Sequence, residues 1–304
     1  MVVGFINILK PPGCTSHDVV QRLRRLLQQK RIGHGGTLDP LAVGVLPVAV
    51  GKATRLLEYL QLEEKSYRAE FIVGIRTDTQ DLSGRVLSRV ACSEIKYEDL
   101  QEAANYFTGT IKQVPPMTSA VHFRGQRLYK LARQGLEVER PAREVNIKQF
   151  RLVRCWREEP YIRVMADITC SKGTYIRTLG ADWGDFLGYG ATLAFLIRSR
   201  VGNFKLEEAW TMEEIEASID RGDRQFLLPL AAGLSHLPLI NLTPKVVKPV
   251  VNGAAVKLAE LAPTAAIKMG SVFRLEIDGK LVAVARVVTG AGGERLLQPQ
   301  KVFR

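Results

Sequence analysis

The chain has 304 residues, of which 46% are hydrophobic and 24% charged, and it fits an ordinary globular protein with one large domain or a large and a small one. Its 43 basic and 31 acidic residues give a net charge of +12, which indicates an acidic partner, most often nucleic acid, with a membrane surface as the alternative. No apolar run reaches the roughly 18 residues of a spanning helix, and residues 1–5 lack the charged start of a signal peptide, so we expect a cytoplasmic protein without membrane contact.

The four cysteines and four histidines are scattered along the chain rather than grouped. No two cysteines form a C-x-x-C pair, which argues against both a zinc site and a redox motif. The sequence also has neither a P-loop nor a dinucleotide fingerprint. We therefore expect free thiols, no metal and no cofactor.

The N-terminal part is predicted to begin with a short strand over residues 5–10, which Pro11 ends. Thr15 and Ser16 can cap the following helix, whose apolar residues recur on one face. Basic residues lie largely off that face and suit either a solvated surface or a track for phosphate groups. These residues are Arg22, Arg24, Arg25, Lys30 and Arg31.

Residues 33–42 form a glycine-rich stretch around Asp39, the only acidic residue between Asp18 and Glu58. Seven basic residues occupy the same interval, and neighbouring positive charge favours the ionised carboxylate. Pro40 restricts the preceding residue to extended geometry and so fixes the direction of its side chain. This pattern suits a nucleophile that faces a polyanion, and it equally suits an ordinary Asp-Pro turn.

Residues 43–50 predict a buried strand and residues 52–59 a helix. Residues 65–73 alternate between apolar and polar and predict a half-buried strand. Tyr67 lies at the solvent-exposed end of this strand, where a tyrosine either packs at the edge of the core or stacks on an RNA base.

The polar stretch 77–84 predicts a loop that carries Asp78 and Asp81. Their spacing fits no calcium-loop template, so hydrogen bonding within the turn is favoured over an acid/base pair or a metal loop. Residues 97–107 predict an amphipathic helix that ends before Gly109.

Residues 113–140 change in character and predict a protruding basic finger with a short helix over 126–134, the alternative being a solvated charged helix. The basic residues of the finger are Arg124, Arg127, Lys130 and Arg133.

Two further strands are predicted over 161–170 and 192–200, and a helix begins near Thr174. Tyr175 and Arg177 lie where the first of these strands gives way to that helix. Near residue 238 a proline-bounded segment predicts a boundary. The short β-type runs beyond it predict a small barrel or sandwich of about 65 residues.

Residues 33–47 resemble the catalytic motif of the bacterial tRNA pseudouridine synthase B family. Further motifs resemble those of the same family in the same order, and together they span nearly the whole chain. They are Ile8 to Ser16, residues 65–68, residues 171–177, residues 196–204 and the C-terminal residues 270–303, the last resembling a PUA-type RNA-binding domain. Leu9 departs from the family pattern, in which an aspartate or asparagine often precedes the Lys-Pro pair.

The resemblance implies an α+β fold. Residues 1–238 would form a catalytic domain with a mixed, largely antiparallel sheet flanked by helices and loops. Residues 113–140 would be an inserted thumb that grips RNA, and residues 239–304 a small PUA-like β-barrel that binds RNA.

The implied activity is isomerisation of uridine 55 in the TψC stem-loop of tRNA to pseudouridine, by a monomer that needs no guide RNA or protein partner. Asp39 would be the nucleophile, held ionised by Arg177, and Tyr67 would stack on the flipped base. Whether Asp39 attacks C1′ or the uracil ring, or acts first as a base, stays open. The implied substrate-binding residues are His34, Tyr175, Leu196, Lys10 and Lys172.

Three other functions are weighed against this one. A non-catalytic RNA-binding or RNA-folding protein on the same fold would not need Asp39, Tyr67 and Arg177 together. A guide-RNA-dependent synthase would not need the basic insertion. A hydrolase that uses Asp78 and Asp81 lacks a partner motif.

Overall fold

The computed structural model describes residues 2–92, 94–119, 121–123, 125–261 and 267–303. Arg124, one of the basic residues of the predicted finger, lies outside these ranges. Within them, no helix combines the length and the apolar character that crossing a membrane requires. The same ranges hold no group of three or more acidic, histidine or cysteine side chains arranged to bind a metal ion.

The described residues form both strands and helices. The strands are β1 (Gly4–Lys10), β2 (Ile32–His34), β3 (Val43–Val50), β4 (Lys65–Val73), β5 (Ile75–Thr77), β6 (Val86–Arg89), β7 (Gly109–Gln113), β8 (His122–Phe123), β9 (Gln126–Arg127), β10 (Arg143–Glu158), β11 (Tyr161–Cys170), β12 (Ala191–Val201), β13 (Phe204–Lys205), β14 (Leu227–Leu228), β15 (Leu239–Asn241), β16 (Val256–Lys257), β17 (Val272–Ile277), β18 (Lys280–Thr289) and β19 (Arg295–Val302). The α-helices are α1 (Ser16–Leu26), α2 (Leu57–Leu60), α3 (Tyr97–Tyr106), α4 (Leu128–Arg133), α5 (Ile176–Phe186), α6 (Met212–Asp220) and α7 (Pro244–Val251), and four 3-10 helices cover Gly51–Leu56, Leu206–Glu208, Leu230–Leu234 and Leu258–Glu260.

The first 238 residues are organised around a ten-stranded mixed sheet. Its strand order is β14-β1-β3-β12-β4-β11-β10-β7, with β2 on β3 and β13 on β12. All of its pairs are antiparallel except β3 with β12. This central parallel contact brings the start of β3, which follows the Asp39 stretch, against the end of β12.

Helices α3 and α5 pack against the half of the sheet that contains β4, β10 and β11, because their apolar faces meet alternate residues of those strands. Trp183 of α5 is fully buried there, with its ring 5.9 Å from that of Phe71 and 5.7 Å from that of Phe150. The alternation predicted for residues 65–73 is confirmed by the burial pattern of β4.

Helix α1 packs on the other half of the sheet through Val19, Val20 and Leu23, and the predicted cap is present as a capping box between Thr15 and Asp18. The basic side chains off that face are partly engaged. Arg22 pairs with Glu213 and Glu216 of α6 at 3.0 and 2.8 Å.

The predicted helix over 52–59 is instead a 3-10 helix that passes into the short helix α2. A 3-10 helix repeats every three residues, and Ala53, Leu56 and Tyr59 are all buried on one side. The three-residue spacing of these apolar positions therefore explains the tighter helix.

The C-terminal residues form a five-stranded sheet in the order β15-β17-β18-β19-β16, around a core of its own with α7. Arg55 joins this sheet to the first one, because its Nη1 donates to the Val302 carbonyl at 2.8 Å and its guanidinium lies 5.3 Å from the centre of the Phe303 ring. The fold is thus the predicted α+β class, with few helices and a small second sheet.

Candidate active site

The stretch around Asp39 is a loop that two buried side chains hold in place. The Leu38 amide donates to Ser16 Oγ at 2.9 Å, and that hydroxyl donates back to the Leu38 carbonyl at 3.2 Å. Lys10 is fully buried, and its Nζ donates to the carbonyls of Pro11, Pro40 and Ala42 at 2.8, 3.2 and 2.7 Å. The loop on both sides of Asp39 is therefore fixed to β1 and α1.

Residues 39–42 form a turn, since the Ala42 amide donates to the Asp39 carbonyl at 3.1 Å. The backbone thus adopts the Asp-Pro turn that the sequence allows, and the side chain remains available for a separate task. The Asp39 side chain is 39% exposed, so it can meet a large ligand from the solvent side.

Arg177 holds the Asp39 carboxylate by a bidentate ion pair. Its Nε donates to Oδ2 at 2.9 Å and its Nη2 donates to Oδ1 at 3.3 Å. The Arg177 side chain is only 5% exposed and comes from the first turn of α5. A buried guanidinium in this geometry fixes the plane of the carboxylate.

Arg177 is itself oriented by two other segments. Its Nη1 donates to the Thr79 carbonyl at 3.0 Å and to Thr118 Oγ1 at 2.5 Å, and the Asp81 carboxylate lies 3.6 Å from its Nε. The loop over 77–84 and the start of the predicted finger therefore meet the Asp39 loop at this guanidinium.

The loop carboxylates otherwise bond within their own turn, as the sequence favours. Asp78 Oδ1 accepts from the Arg85 amide at 2.9 Å, and Asp81 Oδ1 accepts from Thr79 Oγ1 at 2.7 Å and from the Ser83 amide at 3.0 Å. This geometry gives no support to the acid/base pair that a hydrolase would use.

Tyr67 lies on β4 with 8% of its surface exposed, so it is buried in the core rather than at the solvent-exposed end that the sequence predicted. Burial raises the pKa of Tyr67 to about 12, which the Asp39 charge reinforces and the nearby Arg198 charge opposes. The phenol is therefore neutral at physiological pH. Its ring can stack on a base, and its hydroxyl can donate a hydrogen bond.

The remaining predicted site residues surround this centre in different ways. Leu196 is buried in the same apolar core as Leu38 and Tyr67. Tyr175 is half-buried at the N-cap of α5, and Lys172 is exposed in the turn before it.

His34 is half-buried at the end of β2, and burial lowers its pKa, with Arg198 and His17 adding to the effect. Its imidazole is therefore neutral near pH 7.

Sequence reasoning assigned no role in the site to three of the residues that build it. Thr118 is an ordinary loop threonine in sequence. Gln113 is 2% exposed, and its side-chain amide accepts from the Tyr175 N–H at 2.8 Å and donates to the Tyr175 carbonyl at 3.1 Å. Arg198 is a charged residue inside a strand, and that anomaly is the signal that could have marked it.

Comparison with known proteins places this chain in a family. Residues 24–176 match the N-terminal domain of TruB family pseudouridylate synthases, and residues 177–235 match the C-terminal domain of tRNA pseudouridylate synthase B. The tRNA pseudouridine synthase B of Moorella thermoacetica is 63% identical over 305 residues, with full coverage of both chains. That of Heliobacterium mobile is 42% identical and covers 99% of this chain and 95% of its own.

Two solved structures share the fold. An H/ACA RNP bound to a substrate RNA containing 2′-deoxyuridine gives a TM-score of 0.76 at 26% identity, and a Cbf5-Nop10-Gar1 complex gives 0.77 at 27%. Each comparison covers 99% of this chain and 85% of the other chain.

Proposed function

Because the chain belongs to the TruB family of pseudouridylate synthases and is an enzyme that forms pseudouridine in tRNA, we propose that its target is uridine 55 of the TψC arm and that Asp39 opens the glycosidic bond. The observation that carries this proposal is the Asp39 carboxylate itself. It is held in a fixed plane by a buried arginine, yet it is open to solvent on one side.

The reaction breaks the N1–C1′ bond, turns the uracil and joins C5 to C1′, while C5 loses a proton and N1 gains one. It is redox-neutral and needs no energy source. A carboxylate that is ionised before the substrate arrives can act at once as a nucleophile or as a base. Arg177 serves this step by holding the Asp39 carboxylate in a fixed orientation.

A uridine in the folded arm must leave its stack to reach Asp39, at a cost of a few kcal/mol. Stacking on Tyr67 offsets part of this cost, because base–aromatic stacking contributes about 1–3 kcal/mol. Tyr175 and Leu196 would line the uracil pocket, and the neutral His34 would take the place that the base vacates.

We assign the two lysines different parts. Lys172 is exposed and suits a phosphate contact. The Lys10 ammonium donates hydrogen bonds to three backbone carbonyls, so it acts on the substrate indirectly by holding the Asp39 turn.

Two regions would provide the larger grip on tRNA. Residues 113–140 carry Arg127 and Lys130 on the hairpin and helix beyond Thr118, which suits a thumb that closes on the stem-loop. Residues 239–304, with their own sheet and core, suit a PUA-like RNA-binding domain beside a catalytic domain of residues 1–238.

The test is to map pseudouridine in an unmodified tRNA transcript after incubation with the purified protein alone. The proposal predicts a single modified position, uridine 55, without guide RNA or protein partner. Modification at another uridine, or only after a partner is added, would contradict it.

A further inference from the structure

Arg198 of β12 is one of the largest fully buried side chains of the protein, and it is a cation. Burial of a charge is unfavourable unless polar groups surround it closely. The groups around Arg198 belong to the loop that carries Asp39 and to neighbouring strands of the sheet. The burial of this arginine is therefore explained by the segments that it holds together.

Its first set of contacts reaches the Asp39 loop. The Nε donates to the Val45 carbonyl at 2.8 Å, Nη1 to the Thr37 carbonyl at 3.1 Å and Nη2 to the Gly36 carbonyl at 3.0 Å. These carbonyls lie on both sides of the loop that carries Asp39. Burial lowers the pKa of the Arg198 guanidinium, and the charge of Asp39 opposes this effect.

Its second neighbour is Tyr67. The two residues lie opposite each other in the antiparallel pairing of β12 with β4, so their side chains share one face of the sheet. Burial raises the pKa of Tyr67, and the charge of the Arg198 guanidinium opposes that rise.

We propose that Arg198 is a positioning residue that couples the Asp39 loop to β4, and so sets where the Asp39 carboxylate lies relative to Tyr67 when the flipped nucleotide enters. This inference rests on the proposed function for the identity of that nucleotide. Lysine cannot replace this arginine, because its single ammonium cannot span the three carbonyls that three separate guanidinium nitrogens meet.

The test compares Arg198→Lys with Arg200→Lys, a matched change two residues along the same strand. Arg200 contacts Ser66 Oγ at 3.3 Å and the Gly202 carbonyl at 3.3 Å, away from the Asp39 loop. Two quantities are measured below the melting temperature of each variant: the single-turnover rate constant at saturating tRNA and the Kd for tRNA.

We expect Arg198→Lys to slow the reaction at least about tenfold with Kd changed less than about threefold, and Arg200→Lys to change neither by more than about twofold. A wild-type rate in Arg198→Lys would overturn the proposal. A loss of affinity in proportion to the rate would also overturn it, since Arg198 would then be a binding residue.

A second readout tests the Tyr67 contact without relying on activity. The carbon-13 resonance of the phenol Cζ, identified by its loss in Tyr67→Phe, should shift in Arg198→Lys and stay in place in Arg200→Lys. An unchanged resonance in Arg198→Lys would refute the coupling. If the wild type modifies a uridine other than 55, the proposed function fails in that respect, while the same rate comparison at the other uridine still tests Arg198.

Discussion

Arg177 meets Asp39 across 138 residues of sequence with two nearly parallel hydrogen bonds, Nε to Oδ2 at 2.9 Å and Nη2 to Oδ1 at 3.3 Å. The Arg177 side chain is buried and the Asp39 side chain is partly exposed to solvent, so the carboxylate is held on one side and accessible on the other. This asymmetry lets the carboxylate keep its orientation while it meets a substrate.

Arg177→Lys should lower the single-turnover rate constant at least about tenfold and leave tRNA affinity nearly unchanged. Lysine keeps the charge but loses the bidentate geometry. The measurement is pseudouridine formation at saturating tRNA, with Arg76→Lys as control, because Arg76 makes a surface pair with Asp185 at 2.8 Å. Equal rates for Arg177→Lys and the wild type would remove the ion pair from the mechanism.

Binding of tRNA should weaken steeply with salt, since the net charge of +12 is attributed to phosphate contacts. We expect Kd to rise at least about tenfold between about 50 and 200 mM salt. Arg127→Gln in the thumb should reduce the slope of log K against log salt by about 1. A flat profile would mean that the positive charge serves another purpose.

Gly44→Ala should severely destabilise the protein. Gly44 pairs with Arg198 in the parallel ladder at a φ of +110°, and a Cβ there would lie 2.3 Å from the Arg198 carbonyl oxygen. We expect the free energy of unfolding to fall by more than about 3 kcal/mol, since strain from positive φ costs about 1–2 kcal/mol and the backbone clash adds to it.

Gly13→Ala is the matched control for this change, because Gly13 also has a positive φ, +80°, with no heavy atom within 4 Å of its Cβ position. We expect a loss of only about 1–2 kcal/mol there. Equal losses at both glycines in denaturant unfolding would show that the tight contact between β3 and β12 is not the cause.

Asp182→Asn should stabilise the protein at neutral pH. Burial, and then the charge of Asp185, raise the pKa of Asp182 to about 6 from its ordinary 3.8. The folded state therefore binds more protons than the unfolded state between these values, so the contribution of this group to stability is present below pH 3.8 and lost as the pH rises through 6.

At pH 7 the neutral asparagine should raise the free energy of unfolding by up to about 3 kcal/mol, and the gain should vanish below about pH 4. The check is the melting temperature across this pH range. Asp223→Asn serves as the control, because a hydrogen bond from Ser218 lowers the pKa of that carboxyl, so its replacement should not stabilise the protein. A gain for Asp182→Asn that is independent of pH would contradict the assignment to this carboxyl group.

Local structure was largely predictable from the sequence, because it depends on patterns within a few residues. The alternation over 65–73 and the apolar run over 43–50 each correspond to a strand with those bounds. The pattern of glycines and basic residues around Asp39 marked this carboxylate as a candidate site residue without any knowledge of the fold.

Contacts between distant segments were not predictable in this way. Arg198 reaches the carbonyls of Thr37 and Gly36 across 161 and 162 residues, through the parallel pairing of β3 with β12. Thr118 reaches Arg177 across 59 residues. The burial of Lys10 also depends on the turn at Pro40 folding back over β1, which the sequence alone does not specify.

The most direct test of the central claim is the rate of pseudouridine formation by Asp39→Asn, measured in a single turnover at saturating tRNA. Asparagine keeps the shape and removes the charge, so we predict a rate at least about a thousandfold below wild type with tRNA affinity retained. Asp78→Asn, which changes a carboxylate that accepts from the Arg85 amide of its own loop, should react normally. Turnover by Asp39→Asn near the wild-type rate would contradict the account.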